Sequence, residues 1–335
     1  MSVRLTLAEV EDLCRRCLLA NGADEANAAA VTRTVTTAER DRSVSHGLFR
    51  VPGYVASLRS GKVNGRARPC AERIAPSVVR VDGDEGFAPL ALEIGREPLI
   101  EAAKEQGVAA MGLVRTYHFA ALWPEVEKLA TAGLVGLACT AYKPVVAPAG
   151  ARQAFFGTNP VAFAWPRGDK PPYVFDMATS AMARGEIQVA ARDGHTVPLG
   201  AGLDAAGEPT TDPNAILSGG VQLPFGAYKG SAIMTMVELL SAGLLGERFS
   251  DEAGRLDVED GGPARGGEFL LALDPSRFGD PDWLAHSDGW LERLAGLDGV
   301  RLPGDRRYRA RNQTPSSGIT IPAALHDELR ALAEG

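Results

Sequence analysis

The sequence predicts a mixed α/β protein of the α+β kind, with helical segments at both ends packed together beside a sheet-rich middle. Between residues 77 and 175, short β-branched apolar runs alternate with stretches of helical periodicity. The first 60 residues and the last 55 carry helical periodicity with capping signals. The chain has 335 residues, more than one hydrophobic core serves, so two or three domains are expected. The natural division is a helical unit from residues 1–60 with 281–335. A sheet-rich unit over 70–280 would hold cofactor and substrate and could split into two subdomains.

Each element has its own justification. Thr6 followed by Glu9 reads as a capping box, and the helix after it sets Val10, Leu13 and Cys17 on one face before Asn21-Gly22 ends it. A second, alanine-rich helix runs from Asp24 to about Arg40. The polar stretch 60–69 reads as a boundary. Strands are expected at 77–81 and 108–114 with a helix at 89–106 between them, then a helix at 123–132, a buried strand at 134–141, and short strands at 161–165 and 173–175. Residues 230–246 give the clearest helix, with Ile233, Val237, Leu240 and Leu244 on one face. A glycine-rich loop at 261–267 leads to a strand at 269–273, and helices close the chain at 281–297 and 322–334.

Composition excludes several classes. Hydrophobic residues at 45% and charged residues at 23% are those of an ordinary folded domain. The most apolar stretch still contains Thr235, Glu238 and Ser241, so no membrane span is expected. The N-terminus carries acidic residues where a signal peptide needs an apolar run, which reads as a cytoplasmic protein. With 35 basic and 42 acidic residues the net charge is −7, and no basic stripe interleaved with aromatics suggests a nucleic-acid surface. Cys14 and Cys17 form a CxxC, but it lies inside an amphipathic helix with no second Cys or His pair to complete a metal site. It reads as helix packing, and no metal is expected.

Gly200-Ala201-Gly202-Leu203-Asp204-Ala205 formally satisfies the dinucleotide fingerprint. That device requires a strand before it and a helix after it, and Ala206-Gly207-Glu208-Pro209 cannot start a helix. It is therefore set aside. Four other segments could carry chemistry. In Ser45-His46-Gly47 with Arg50, a helical or turn backbone projects His46 and Arg50 to the same side. His46 could donate a proton, Arg50 could grip a carboxylate, and the competing reading is a capping serine with a surface pair. Asp176-Met177-Ala178-Thr179-Ser180 ends a strand with hydroxyls and amides suited to a phosphate or an amide, or else forms a helix cap. Glu186, just beyond, could hold the His46 ring. Lys229 opens the long helix, where the dipole disfavours a cation and a phosphate or carboxylate would relieve it. Arg301, Arg306 and Arg307 surround a Pro-Gly turn that suits phosphate oxygens, or form a solvated basic loop. A Ser–His hydrolase on Ser45 and His46 is disfavoured, because adjacent residues do not form a nucleophile–base pair and no GxSxG elbow is present.

Together Ser45-His46-Gly47 with Arg50, Phe156-Gly157-Thr158-Asn159-Pro160, Asp176 to Ser180, Gly226-Ala227-Tyr228-Lys229-Gly230 and Leu302-Pro303-Gly304 occur in an order that resembles the type 2 malate/L-lactate dehydrogenase family. The stretches His118-Phe119-Ala120-Ala121-Leu122-Trp123-Pro124 and Leu223 to Ala232 narrow the resemblance to the Δ1-piperideine-2-carboxylate/Δ1-pyrroline-2-carboxylate reductases. The resemblance implies a nucleotide fold that is not a Rossmann fold, NADPH as cofactor, a small cyclic imino acid as substrate, and a homodimer. It implies a relay of Ser45, His46 as acid, and Glu186, where the family usually has Asp. Arg50, Pro124 and Lys229 would bind substrate. His118, Phe119, Ala120, Ala121, Leu122, Thr158, Asp176, Met177, Ala178, Tyr228, Lys229, Arg301, Leu302, Pro303, Gly304, Asp305, Arg306 and Arg307 would line the cofactor. The expected reaction is reduction of the cyclic C=N bond. The alternative is dehydrogenation of a 2-hydroxy acid such as malate, lactate, sulfolactate or ureidoglycolate with NAD or NADP.

Overall fold

The computed structural model describes residues 2–118 and 121–335. The N-terminal part holds β1 (Ser2–Leu5), α1 (Leu7–Ala20), α2 (Glu25–Arg40) and α3 (Val51–Arg59). Then come β2 (Cys70–Ala75), β3 (Val78–Phe87), α4 (Ala88–Gln106), β4 (Val108–Tyr117), α5 (Trp123–Thr131), β5 (Val135–Thr140), β6 (Val161–Arg167) and β7 (Lys170–Met177). An α/β excursion follows: α6 (Arg184–Asp193), β8 (Gly202–Leu203), β9 (Pro209–Thr210), α7 (Pro213–Leu217) and β10 (Val221–Gln222). The chain closes with α8 (Tyr228–Glu238), α9 (Ser250–Arg255), β11 (Arg265–Leu273), α10 (Trp283–Ala295), α11 (Asp305–Ser317), β12 (Ile319–Pro322) and α12 (Ala323–Glu334).

The sheet at the centre has seven strands in the order β2-β3-β4-β11-β5-β6-β7. Its one parallel pair is β3 with β4, joined by the 19-residue crossover α4, because parallel neighbours cannot be joined by a tight turn. All its other pairs are antiparallel, so this is a mixed sheet and not a doubly wound one. Helices α4 and α5 cover one face and bury Leu92, Leu99, Leu122, Val126 and Leu129 against Val81, Met111, Leu113 and Leu270.

The two chain ends pack together, as expected. β1 pairs with β12, and α12 lies against α1, so that Val10, Leu13, Leu18, Val31 and Tyr54 share a core with Ile319, Ile321 and Leu329. The Thr6/Glu9 capping box forms at the start of α1, and Asp24 caps α2. Cys14 and Cys17 face inward on α1, where burial pushes their thiols up to about 12 and about 11 and the Cys17 thiol donates to the Leu329 carbonyl at 3.1 Å. Helix α10 goes elsewhere: Trp283 meets Trp165 of β6 edge to face at 6.0 Å, and Arg167 binds Asp288 at 2.5 Å.

Three expectations from the sequence change. The long helix is α-helical only to Glu238 and continues as a π-turn over Leu239–Gly243. The extra residue in that turn rotates the face that follows. Val237 is buried, with Ile233 and Leu240 packed beside it on Cys139 and Val161, while Leu244 is 64% exposed. Leu245 turns inward in its place, close enough that a Cβ on Gly112 would come within 2.4 Å of it. The glycine-rich loop at 261–267 ends early, because β11 begins at Arg265 and passes a bulge between Gly266 and Glu268. The basic loop at 301–307 is half helix: Asp305, Arg306 and Arg307 form the first turn of α11. The fingerprint Gly200–Ala205 falls on a turn and on β8, with no helix after it.

Candidate active site

Ser45, His46 and Arg50 lie on two consecutive 3₁₀ turns, Val44–His46 and Leu48–Arg50, between α2 and α3. A 3₁₀ path brings Arg50 back over the first turn, and its Nε donates to the Ser45 carbonyl at 2.7 Å. Ser45 Oγ lies 3.1 Å from His46 Nδ1. Glu39 of α2 clamps the turn by accepting the Leu48 N–H at 2.8 Å, and a Cβ on Gly47 would fall 2.0 Å from its Oε1. His46 is pushed down to about 3 by burial first, then by Arg50 and His118, so its imidazole is neutral at physiological pH.

Glu39 yields a stability prediction. Burial pushes its carboxyl from 4.5 up to about 7, against the opposing Leu48 bond. The folded chain therefore holds a proton that the unfolded chain has released, and this contribution, complete below pH 4.5, is lost as pH rises through 7. Glu39→Gln removes the loss, worth at most about 3 kcal/mol. Thermal unfolding at pH 5 and pH 8 should show the variant gaining far more on the unsubstituted chain at pH 8 than at pH 5. An equal difference at both pH values contradicts this account.

The start of α6 closes over the same turn. A Cβ on Gly185 would lie 2.8 Å from Ser45 Cβ and 3.2 Å from Arg50 Nη2, which explains glycine near a helix start despite its low propensity. Gly185→Ala is expected to lower kcat/KM about 10²-fold by displacing Ser45 and Arg50, with little change in melting temperature. Near-normal activity would show that the two helices do not confine the turn. Arg184, beside Gly185, is half-buried, and its guanidinium proton affinity is lowered by burial and by Arg50. Glu186 is exposed and takes no hydrogen bond or ion pair among the described residues, so the expected His46–Glu186 bond is not made in this conformation. A first-turn position on α6 directs its carboxylate to solvent.

The end of β7 organises the other segments. Asp176 Oδ2 accepts the N–H groups of Leu122 (2.7 Å) and Trp123 (3.0 Å) at the start of α5. Burial pushes the Asp176 carboxyl up, opposed by the Trp123 bond and Arg307. Trp123 is the hub: its ring meets His46 edge to face at 6.5 Å, and the Arg307 guanidinium stacks over it at 5.3 Å. Arg307 also donates to the Val174 carbonyl at 2.9 Å. The Trp123 Nε1–H donates to Asp41, which Arg311 grips at 2.5 and 3.0 Å.

Beyond Met177, the Thr179 N–H and Oγ1 bind the Thr158 carbonyl at 2.9 and 3.1 Å. The Phe225 N–H donates to the Thr179 carbonyl at 3.1 Å, and Ser180 pairs with Pro224. The start of α8 is thereby fastened to the end of β7. Gly226 and Ala227 both have positive φ there (55° and 52°), which is strained for alanine, and a Cβ on Gly230 would be 2.1 Å from the Phe225 carbonyl oxygen. This turn presents Tyr228 (70% exposed) and Lys229 to solvent, as Met177 is at the end of β7.

The remaining expected residues are placed as follows. His118 follows the last residue of β4, with Nε2 at 2.9 Å from Glu268. Phe119 and Ala120 lie outside the described residues. Ala121 and Leu122 are buried, leaving backbone as what they can offer. Ala178 and Asp305 are half-buried, Arg301, Pro303 and Arg306 are exposed, Leu302 is buried, and Gly304 turns the chain at φ 94° into α11. Pro124 is buried in the first turn of α5, where it lines a charged cavity of about 160 Å³ with Arg40, Arg96 and Glu125.

Residues 5–330 match the malate/L-lactate dehydrogenase family. The chain belongs to that family. It is 48% identical to the Δ1-pyrroline-2-carboxylate reductase of Ancylobacter novellus, over 98% of this chain and 97% of that one. It is also 48% identical to the Δ1-pyrroline-2-carboxylate/Δ1-piperideine-2-carboxylate reductase of Pseudomonas aeruginosa, over 99% and 100%. The crystal structure of Δ1-piperideine-2-carboxylate reductase from Pseudomonas syringae pvar. tomato superposes with a TM-score of 0.93 at 43% identity, covering 98% of this chain and 99% of that one. The dehydrogenase family frames the donor set around β7. Guanidiniums of Arg301, Arg306 and Arg307, the Lys229 ammonium and the strained Gly226-Ala227 backbone fit the polyanionic, partly flat shape of a nicotinamide dinucleotide. Sequence reasoning passed over Trp123, Arg184 and Glu268 as site residues, since each acts through neighbours distant in the chain, and Glu39, which acts on the backbone of a turn nine residues on.

Proposed function

We propose that this protein reduces the C=N bond of cyclic imino acids, converting Δ1-pyrroline-2-carboxylate to L-proline and Δ1-piperideine-2-carboxylate to L-pipecolate, with NADPH as the preferred reductant. The working unit in this reading is a cytoplasmic homodimer acting on small molecules, without nucleic-acid or membrane partners. The observation that carries the reading is a neutral His46 between Ser45 and Arg50. Full-length similarity to reductases of this class supports it.

The Arg50 guanidinium takes the substrate carboxylate in a two-pronged contact. The ring nitrogen of such an imine is basic enough to arrive as N–H⁺, and the neutral His46 imidazole accepts a hydrogen bond from it. Ser45 Oγ, 3.1 Å from Nδ1, fixes the ring's orientation. The bound nicotinamide supplies a hydride. When C2 receives it, the C=N π pair becomes the nitrogen lone pair, and the ring nitrogen keeps the proton it brought. Glu186 is proposed to assist by turning toward His46 from the first turn of α6. The 2′-phosphate that separates NADPH from NADH is assigned to the exposed guanidiniums of Arg301 and Arg306.

The test is loss of NADPH absorbance with Δ1-pyrroline-2-carboxylate, Δ1-piperideine-2-carboxylate, pyruvate and oxaloacetate side by side, repeated with NADH. Turnover of the cyclic imines, faster with NADPH, is the expected result. Turnover of the keto acids alone would move the protein to the hydroxy-acid branch.

A further inference from the structure

Behind the site lies a buried acid cluster that the mechanism above does not use. Glu268 follows the β11 bulge and is fully buried, and its Oε2 lies 2.9 Å from Nε2 of His118, itself only 7% exposed. The approach is close but not linear: Nε2 and both Glu268 oxygens are without a hydrogen bond among the described residues. Among the described residues the imidazole is the one ionic contact of this buried carboxylate, and either group alone would carry a large desolvation cost.

We propose that Glu268 is a positioning residue that holds His118 as an imidazolium behind the site, a fixed positive charge that adds to burial and Arg50 in keeping His46 neutral. The groups facing His118 come from separate elements: Glu268 on β11, Glu125 on α5, Asp176 on β7 and His46 on the 3₁₀ turn. Burial alone would drive the proton off His118, but Glu268, then Glu125 and Asp176, raise its proton affinity above that of an ordinary histidine. In turn burial, then Arg50, then His118 lower that of His46. Glu125 is the outer member: burial and then Glu268 push it up to about 7, opposed by Arg96 at 3.7 Å and by Lys128. It also lines the charged cavity of about 160 Å³. Cys139 of β5, on the opposite face of the sheet from Glu268, is pushed up to about 12 by burial and then by that carboxylate. The catalytic consequence rests on His46 facing substrate; the charge state itself does not.

The experiment is an NMR titration of the imidazoles in the full chain, where five histidines keep assignment tractable. In the unsubstituted protein the His118 midpoint should lie above that of an ordinary histidine, with a bend near pH 7 as Glu125 ionises. In Glu268→Gln its midpoint should drop by about 1–3 pH units, the effect of an opposite charge at this distance, while that of His46 rises. Glu268→Asp should restore part of both shifts. The pH profile of kcat/KM for the imine should move with them, which a merely structural role would not produce. Should Glu268→Gln fail to fold, Glu125→Gln keeps the test open: His118 should stay above an ordinary histidine and lose the bend. A His118 midpoint at or below that of an ordinary histidine in the unsubstituted protein overturns the proposal. So does an unchanged His118 midpoint in a folded Glu268→Gln.

Discussion

Arg50→Ala is expected to lower kcat/KM for the cyclic imine by about 10²–10³-fold, the cost of removing one partner from a desolvated ion pair. Burial already lowers the proton affinity of the Arg50 guanidinium, so a substrate carboxylate arriving there meets a cation poorly served by water. The loss should fall mostly in KM, because the carboxylate is gripped equally before and during hydride transfer. Arg50→Lys keeps the charge but not the fork, and should recover only part of the affinity. The Nε–H bond to the Ser45 carbonyl makes the side chain part of the turn as well, so melting temperature should be measured alongside. A loss below about tenfold in a folded Arg50→Ala would remove Arg50 as the carboxylate anchor.

His46→Ala is expected to separate the two branches of chemistry. For a cyclic imine that arrives protonated, the neutral His46 orients the ring nitrogen, and its removal should lower kcat by about tenfold, the scale of one modest hydrogen bond. For any residual activity on pyruvate or oxaloacetate the nascent alkoxide needs a proton, and the same substitution should lower kcat by about 10²–10⁴-fold. A histidine held down at about 3 is a poor proton donor near pH 7, which is why the imine is the better fit. Equal losses on both substrates, measured by NADPH oxidation at one pH, would contradict the orienting role. The pH profile adds a sign: the imine rate should fall on the alkaline side as the substrate itself loses its proton. His46 titrates too low to contribute there.

Local features were legible in the sequence because they act locally. The capping box at Thr6 and Glu9 and the Asp24 cap each satisfy backbone N–H groups within one turn, so residue type and spacing are sufficient. The refusal of Gly200–Ala205 as a nucleotide loop likewise needed only the absence of a helix signal after it. What spacing could not show is non-local. β11 inserts between β4 and β5 from more than 120 residues downstream, so neither the strand order nor the placement of Glu268 against His118 leaves a periodic trace. The Leu244 error has a different cause: a π-turn is a single extra residue, and a pattern counted at 3.6 residues per turn runs one position out of phase after it.

The site divides in the same way. Ser45, His46 and Arg50 sit within six residues and could be grouped by eye. Trp123 could not, although it touches His46 and Arg307 and is steered by Asp41 and Asp176. Its importance is a property of four segments meeting. Arg184 and Gly185 were in view as text, yet only the packing of α6 on the 3₁₀ turn shows that Gly185 cannot carry a side chain.

The most direct test of the account is a crystal structure of the protein with the oxidised dinucleotide and pyrrole-2-carboxylate, a planar ring acid that cannot accept hydride. The account predicts the carboxylate in the Arg50 fork, the ring nitrogen toward His46, and C2 facing the nicotinamide beside the end of β7. A carboxylate seated away from Arg50, or a ring turned so that its nitrogen points away from His46, would contradict it.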